Sequence, residues 1–475
     1  MWYHFIKVNE RGGRVKLYKS IKDVFFKTPP RTIFTIYLIL SIIGALLLWA
    51  PFSQKSGANV SFLDSLFICV SQISSTGLTP VSMVDNFNIV GGIISILILE
   101  IGGIGIVLLI NAYWILIGKK IGRRERMMVA AEQNQFTLKG VLKLISNALI
   151  AILVFQLIYI LVMVPYLYIK QPWDMNFLES IFHSIFLAAS AFANAGLDWF
   201  PTNSSFIVFQ EKGMYFPQIA TMLLVFSGGV GYWPLADLTL WVKAKFKGER
   251  HKFSFISKLF TLLHLGTFLV SAVVLFGLEY HNTLIHMTPT RATFDVLFMA
   301  NSARSAGYSN TDMMAWTNAT KTFMSFLMFI GAAPNSAGGG IRLTTFILLI
   351  SALYSHGRHR KQVFMGGKAI KREAVKRAYT VFSMGVIIVM FSVLAISIRE
   401  PDLAFLDVFY QVSSAFGTVG LSLNVTPKLT IFSKMILIVV MFIGRIGILT
   451  FIEMIRNKKE TTNLVTYAEI DMIVG

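Results

Sequence analysis

Four glycines, Gly77, Gly196, Gly307 and Gly420, recur along the chain at intervals of 119, 111 and 113 residues. Each closes a short polar or small-residue triplet: Ser75-Thr76-Gly77, Asn194-Ala195-Gly196, Ser305-Ala306-Gly307 and Thr418-Val419-Gly420. An apolar or aromatic residue follows each one (Leu78, Leu197, Tyr308, Leu421). Side chains of this kind offer little acid, base or nucleophile. What the triplets do offer is backbone carbonyl oxygen. Fixed carbonyls can replace the water that a potassium ion sheds on entering a narrow pore. Glycine reaches the backbone angles that aim successive carbonyls inward without a Cβ clash. A lone glycine after a helix would mean only a C-cap. Four at matching places point to segments that meet on an axis and form a cation filter.

Other chemistries find no constellation in the chain. The eight histidines are scattered, and neither a CxxC nor an HExxH pattern occurs, so no resident metal site is expected. Gly338-Gly339-Gly340 follows no strand, and there is no GxxxxGK[ST], so no nucleotide cofactor is expected in this chain. Polar residues inside the apolar runs are too few and too scattered for an intramembrane enzyme. Cys69 alone cannot form an internal disulfide. His183 and His264 fall in apolar stretches and read as satisfied packing histidines; Glu100 has no assigned role, with a helix–helix hydrogen bond favoured over a proton relay.

The elements that must hold the glycines are helical and apolar. Of 475 residues 55% are hydrophobic and 14% charged, well below the ~25% charged of soluble domains. Apolar runs at 32–50, 89–117, 142–168 and 430–452 approach or exceed the ~20 residues that span a bilayer. Ahead of each glycine lies a half-length helix in which an acid follows a Phe (Asp64, Glu179, Asp295, Asp407). Each acid is read as a first-turn complement to the helix dipole. A basic loop separates each unit from the next. The divisions are a cytoplasmic segment 1–31, unit one 32–118, a loop 119–140, unit two 141–242 and a loop 243–255. Unit three is 256–355 with its second span broken at 331–340, then come a loop 356–375, unit four 376–455 and a tail 456–475.

Charge placement orients the chain. Segments 1–31, 119–143, 243–258, 358–377 and 456–459 hold 32 of the 43 Lys and Arg, whereas the alternate connections are poor in them. This is the positive-inside pattern, with both termini and the basic loops of a multi-pass membrane protein in the cytoplasm. A net charge of +19 spread in this way does not suit a nucleic-acid binder. The charged start has no cleavage site, so the first span is expected to be retained.

The sequence resembles the Trk/Ktr/HKT superfamily of potassium transporters, nearest the bacterial Ktr membrane subunit (the KtrB and KtrD type). The resemblance rests on Thr28-Pro29-Pro30, Gly118-Lys119-Lys120-Ile121-Gly122 and Glu125-Arg126-Met127. It continues at 192–196, 414–421 and Met441-Phe442-Ile443-Gly444-Arg445-Ile446-Gly447. It implies an all-α membrane protein of four M1–P-helix–M2 repeats, with eight transmembrane helices and four re-entrant pore helices about a pseudo-fourfold pore. A serine in place of the first filter glycine accompanies sodium permeation in this superfamily, and Gly77 argues for potassium. Arg304-Ser305-Ala306-Gly307-Tyr308 departs mildly from the family, which often has Thr and Phe at its second and last places.

Between 331 and 340 stand Gly331, Pro334, Asn335, Gly338, Gly339 and Gly340. Each glycine costs a helix ~1 kcal/mol and the proline ~3, so regular helix is not expected here. The resemblance implies an intramembrane loop that gates the pore from below. Pro334-Asn335 departs from the small residues usual in that loop. Arg445 lies in the last span, where an unpaired cation costs at least ~2.5 kcal/mol. The resemblance implies that it sits under the filter as an electrostatic barrier. Arg342 is open between a gating role and the cytoplasmic interface.

The implied activity is potassium uptake through a gated, channel-like pore, with potassium as substrate and sodium open as a co-ion or activator. A less selective sodium/potassium translocator and an alternating-access carrier are the alternatives. The implied partners are membrane lipid, a second copy in a homodimer and a cytoplasmic nucleotide-binding ring of the KtrA and KtrC type.

Overall fold

The computed structural model describes residues 28–105, 108–109, 117, 122, 125–128, 141–200 and 205–455. The basic segment 1–27, most of the first cytoplasmic loop and the tail 456–475 lie outside the described residues. Helices form in four successive groups. The first is α1 (Pro29–Trp49), α2 (Phe62–Ile73) and α3 (Ile89–Ile104). The second is α4 (Val141–Lys170), α5 (Phe177–Ala193), α6 (Tyr215–Gly229) and α7 (Tyr232–Phe246). The third is α8 (Phe255–Glu279), α9 (Pro289–Ser302), α10 (Asn318–Ile330) and α11 (Leu343–Gly357). The fourth is α12 (Arg372–Arg399), α13 (Phe405–Gly417), α14 (Ile431–Ile446) and α15 (Ile448–Ile455). Among the described residues the only sheet is a hairpin of β1 (Phe364–Met365) and β2 (Lys368–Ala369) before α12.

Each group opens with a long apolar helix, and α1, α8, α12 and residues 143–170 of α4 are long enough to cross a bilayer. Their outward faces carry bare apolar side chains: Leu161 is 64% exposed, Leu262 68% and Phe391 71%. A band of this kind suits hydrocarbon rather than water. The short helices α2, α5, α9 and α13 sit inside this wall. Local signals start them. The Ser61 side chain accepts from Asp64 N at the head of α2. Asn176 and Glu179 form a reciprocal capping box at the head of α5. Asp295 corrects the reading of four first-turn acids. Thr288 and Pro289 start α9 earlier than expected, which leaves Asp295 in its second turn and buried.

The groups close on one another in a cycle. Helix α3 packs on α5, α6 on α9, α10 on α13, and α14 returns to α2. The last contact carries an ion pair, Lys434 Nζ to Asp64 Oδ1 at 2.7 Å, which joins the two ends of the chain's helical order. Two carboxylates set how the third and fourth groups turn back. Glu279, at the end of α8, accepts from Thr317 N at 3.0 Å just ahead of α10. Glu400, just past α12, accepts from Thr430 N at 2.9 Å and Ser433 Oγ at 2.7 Å at the head of α14. Each satisfies N–H groups that a helix start leaves unpaired. Burial alone would raise the Glu400 carboxyl, but the donors from Thr430 and Ser433, with Arg399 nearby, hold it below its ordinary value.

The second helices differ from the straight spans expected from sequence. One interruption was expected, in the third group. The structure breaks all four. Helix α3 stops at Gly105, α6 and α7 meet at 106° around Gly231, and α14 and α15 meet at 102° around Gly447. The cause is local: φ is +95° at both Gly105 and Gly231 and +89° at Gly447, a conformation no helix continues through. Among the described residues, four single helices, or up to six spans if each bent pair counts as one, meet the length a crossing needs. At 16 residues α3 is ~24 Å long, short of ~30 Å of hydrocarbon.

Candidate functional site

The four short helices deliver their C-terminal ends to one place. A Cβ built on any of the four sequence-marked glycines would strike the backbone of a neighbouring group, and the strikes follow one order. The Gly77 position faces Ala195 O. At Gly196 a Cβ would stand 2.5 Å from Ala306 O, Gly307 faces Val419 O, and Gly420 faces Thr76 O. Each glycine therefore backs onto the carbonyl that precedes the next group's glycine, and the fourth returns to the first. Four glycines separated by more than a hundred residues form a closed ring.

The backbone inside the ring follows one pattern. Ser75, Asn194, Ser305 and Thr418, each two residues before its glycine, have φ of +56°, +56°, +93° and +50°. The glycines themselves have φ of +91°, +66°, +79° and +99°. The intervening Thr76, Ala195, Ala306 and Val419 do not share the positive φ. Strained residues in this number persist only where the surroundings hold them. Here the last turn of each short helix does the holding. Ser71 Oγ accepts from Gly77 N at 2.9 Å, Ser190 Oγ from Leu197 N at 2.9 Å and Ser414 Oγ from Gly420 N at 3.0 Å. In the third group Ser302 Oγ donates instead to Tyr308 O. Sequence reasoning missed these four serines. A hydroxyl six residues before Gly77, Gly196 and Gly420 is a visible signal, but it becomes one only once the glycines are superposed.

Further contacts tie neighbouring segments together. Tyr308 Oη donates to Ser190 Oγ at 2.8 Å, and Ser305 Oγ bonds the carbonyls of Gly417 and Thr418, each at 3.1 Å. Arg304, fully enclosed behind the third segment, bonds His264 O and meets His264 Nδ1 at 3.0 Å. His264, also edge-on to Phe226 at 4.5 Å, is the satisfied packing histidine expected, whereas His183 stacks on Phe200 at 4.6 Å but its buried Nδ1 has no hydrogen-bond partner among the described residues. Glu100 accepts from Gln156 at 2.8 Å, a helix-to-helix hydrogen bond of the expected kind. Two hydroxyls of the ring, Ser75 Oγ and Thr418 Oγ1, are buried with no hydrogen-bond partner among the described residues.

One side of the ring opens into a cavity of about 590 Å³, bordered by all four glycines and by Asp198 and Asp312. The other side is covered. Residues 331–342 leave the helix between α10 and α11 and cross directly beneath the ring, with φ of +73° at Gly331, +57° at Asn335 and +80° at Gly340. Gly339 N donates to Ser305 Oγ at 3.3 Å, and a Cβ on Gly339 would stand 2.6 Å from Thr418 Oγ1. Gly338 lies against Ser305 in the same way. The loop's far side is held by the second group: Ala337 N to Gly228 O at 3.1 Å, Ala333 N to Gly229 O at 3.2 Å and Tyr232 N to Asn335 O at 2.8 Å. Pro334 occupies the turn before Asn335. Arg445 reaches in from α14 and donates to Ala337 O and to Gly102 O and Gly103 O of α3.

Helices sheathed in exposed apolar side chains, around a ring of backbone oxygen that opens to a vestibule on one side, define a membrane transport protein rather than an enzyme. The chain belongs to the TrkH family of cation transport proteins, whose match runs over residues 15–467. It is similar to "Ktr system potassium uptake protein D" of Bacillus subtilis, at 33% identity over 97% of this chain and 100% of that protein. It is also similar to "Ktr system potassium uptake protein B" of the same organism, at 34% identity over 91% of this chain and 94% of that one. In fold it matches the crystal structure of the potassium transporter TrkH from Vibrio parahaemolyticus. The TM-score is 0.64 at 18% identity, covering 95% of this chain and 86% of that one.

Proposed function

We propose that the chain is the pore of a bacterial potassium-uptake system, with the four glycine triplets as its selectivity filter and loop 331–342 as its gate. The observation that carries this reading is the closed ring, in which each glycine backs onto the carbonyl ahead of the next. Thr76, Ala195, Ala306 and Val419 carbonyls surround the ion, and the buried Ser75 and Thr418 hydroxyls of the same triplets have no hydrogen-bond partner among the described residues. The four short helices aim their partly negative C-terminal ends at the same point, which favours a cation. The four groups are M1–P-helix–M2 repeats about a pseudo-fourfold axis, with the broken second helices lining the lower pore. Both similar Bacillus subtilis proteins are named for potassium uptake, which agrees with this choice of ion.

The basic loops face the cytoplasm and the 590 Å³ vestibule faces outward, where Asp198 and Asp312 draw cations to its mouth. The loop blocks the ion below the filter, and Arg445 adds positive charge at the block. A homodimer in the lipid bilayer, seated on a cytoplasmic nucleotide-binding ring, is the assembly that follows from the family likeness.

Expression in a bacterium that lacks its own potassium uptake tests this. With the chain present in the membrane, growth at limiting potassium is expected to return, and it should depend on potassium rather than sodium. Membrane-inserted protein that restores no growth, alone or with a nucleotide-binding regulatory subunit, would refute the potassium assignment.

A further inference from the structure

The four breaks in the second helices occupy equivalent places, and this singles out Arg342. Aligned, they read Gly103-Ile104-Gly105, Gly229-Val230-Gly231, Gly340-Ile341-Arg342 and Arg445-Ile446-Gly447. The last residue of each triplet has nearly one conformation: φ/ψ of 95°/131° at Gly105, 95°/163° at Gly231, 76°/137° at Arg342 and 89°/142° at Gly447. Three are glycine, as this backbone region demands. The third repeat instead places a large L side chain there. A residue kept in a strained position that glycine fills elsewhere is held for what its side chain does.

That side chain does not run to the cytoplasmic interface, which is one of the two courses the sequence left open. The guanidinium turns back on the loop, donates to Gly338 O and reaches Ser336 Oγ at 3.5 Å. The next carbonyl along, Ala337 O, is the one that Arg445 holds from the fourth repeat. Both arginines line the same small cavity of about 40 Å³ beneath the loop, with Tyr232, Asn335 and Ser336. Two like charges in one confined space repel. Their arrangement is stable only while the loop presents its carbonyls to both.

We propose that Arg342 is a second latch of the loop: its guanidinium pins Gly338 in the blocking position beside the Ala337 that Arg445 pins. This rests on reading the loop as the gate. Opening then requires both charge-assisted bonds to let go, and the repulsion between the arginines and the strain at Arg342 both favour release. The loop is held shut by opposed forces, the condition a regulated gate needs to switch on a small input.

The test is rubidium influx into liposomes holding the full chain, with each variant's thermal stability measured in parallel. Arg342→Gly and Arg342→Ala are each expected to raise influx about tenfold, the scale of one charge-assisted hydrogen bond. Arg342→Gly should also melt higher than Arg342→Ala, since glycine fits the backbone and alanine does not. Arg342→Lys, which keeps a charged donor, should stay near the wild-type rate. Arg445→Ala separates the two readings. If it raises influx while Arg342→Gly and Arg342→Ala leave it unchanged, the gate stands and the latch is wrong. Equal leak from Arg342→Lys and Arg342→Gly would also overturn the latch. If neither arginine matters, the gate reading fails and takes the latch with it.

Discussion

Gly77→Ser is expected to cost the protein at least about tenfold in its preference for potassium over sodium. The argument is local. Gly77 has φ of +91°, and any side chain there would press on Ala195 O. An L residue in this conformation costs on the order of 1–3 kcal/mol, and the clash adds to it. The segment relieves both by turning its backbone, which withdraws the Thr76 carbonyl from the ring. Three carbonyl sets remain, and the fourth side is open to water. Sodium holds its hydration water more tightly than potassium does, so it gains most from a ring that no longer demands full dehydration. The helix wall is untouched, so insertion and folding should survive. Competing potassium and sodium fluxes in liposomes measure the change, and unaltered selectivity would count against a filter at this ring.

Arg445→Ala is expected to raise cation flux, by as much as about a hundredfold. A monovalent cation passing ~6 Å from a fixed guanidinium at an effective dielectric of ~20 meets a barrier of roughly 2.8 kcal/mol. That corresponds to about a factor of 100 in rate. The substitution also frees Ala337 O and the Gly102 and Gly103 carbonyls, which loosens the loop from α3. Lysine at the same place should restore much of the barrier but less of the tie, because a single ammonium cannot serve two sites in the geometry of a guanidinium fork. Flux at the wild-type level in Arg445→Ala would leave the arginine a structural tie only.

The fold was readable where single residues speak for themselves. Long apolar runs announce spans, and a glycine among hydroxyl residues after a half-helix stands out at 77, 196, 307 and 420. The break at 331–340 was readable for the same reason, since several glycines and a proline cannot stay helical. The breaks at Gly105, Gly231 and Gly447 were not. Each is one glycine inside an apolar run, where small residues are also used for close helix packing. Only φ at the site distinguishes the two uses. Asp295 misled because its Phe-acid pattern matches the other short helices, while Thr288 and Pro289 start α9 a turn earlier. The Arg304–His264 contact joins residues 40 apart through tertiary packing, and no local pattern encodes it. Arg342 is a different case. Its position in the sequence left a gating role and an interfacial one equally open, and what separates them lies in the backbone it shares with three glycines.

The most direct test of the central claim is anomalous diffraction from crystals of the protein grown in thallium, a heavy stand-in for potassium. Convergent backbone oxygen predicts a peak encircled by the Thr76, Ala195, Ala306 and Val419 carbonyls, directly above Gly339. A well-diffracting crystal with thallium bound elsewhere and none inside that circle would contradict it.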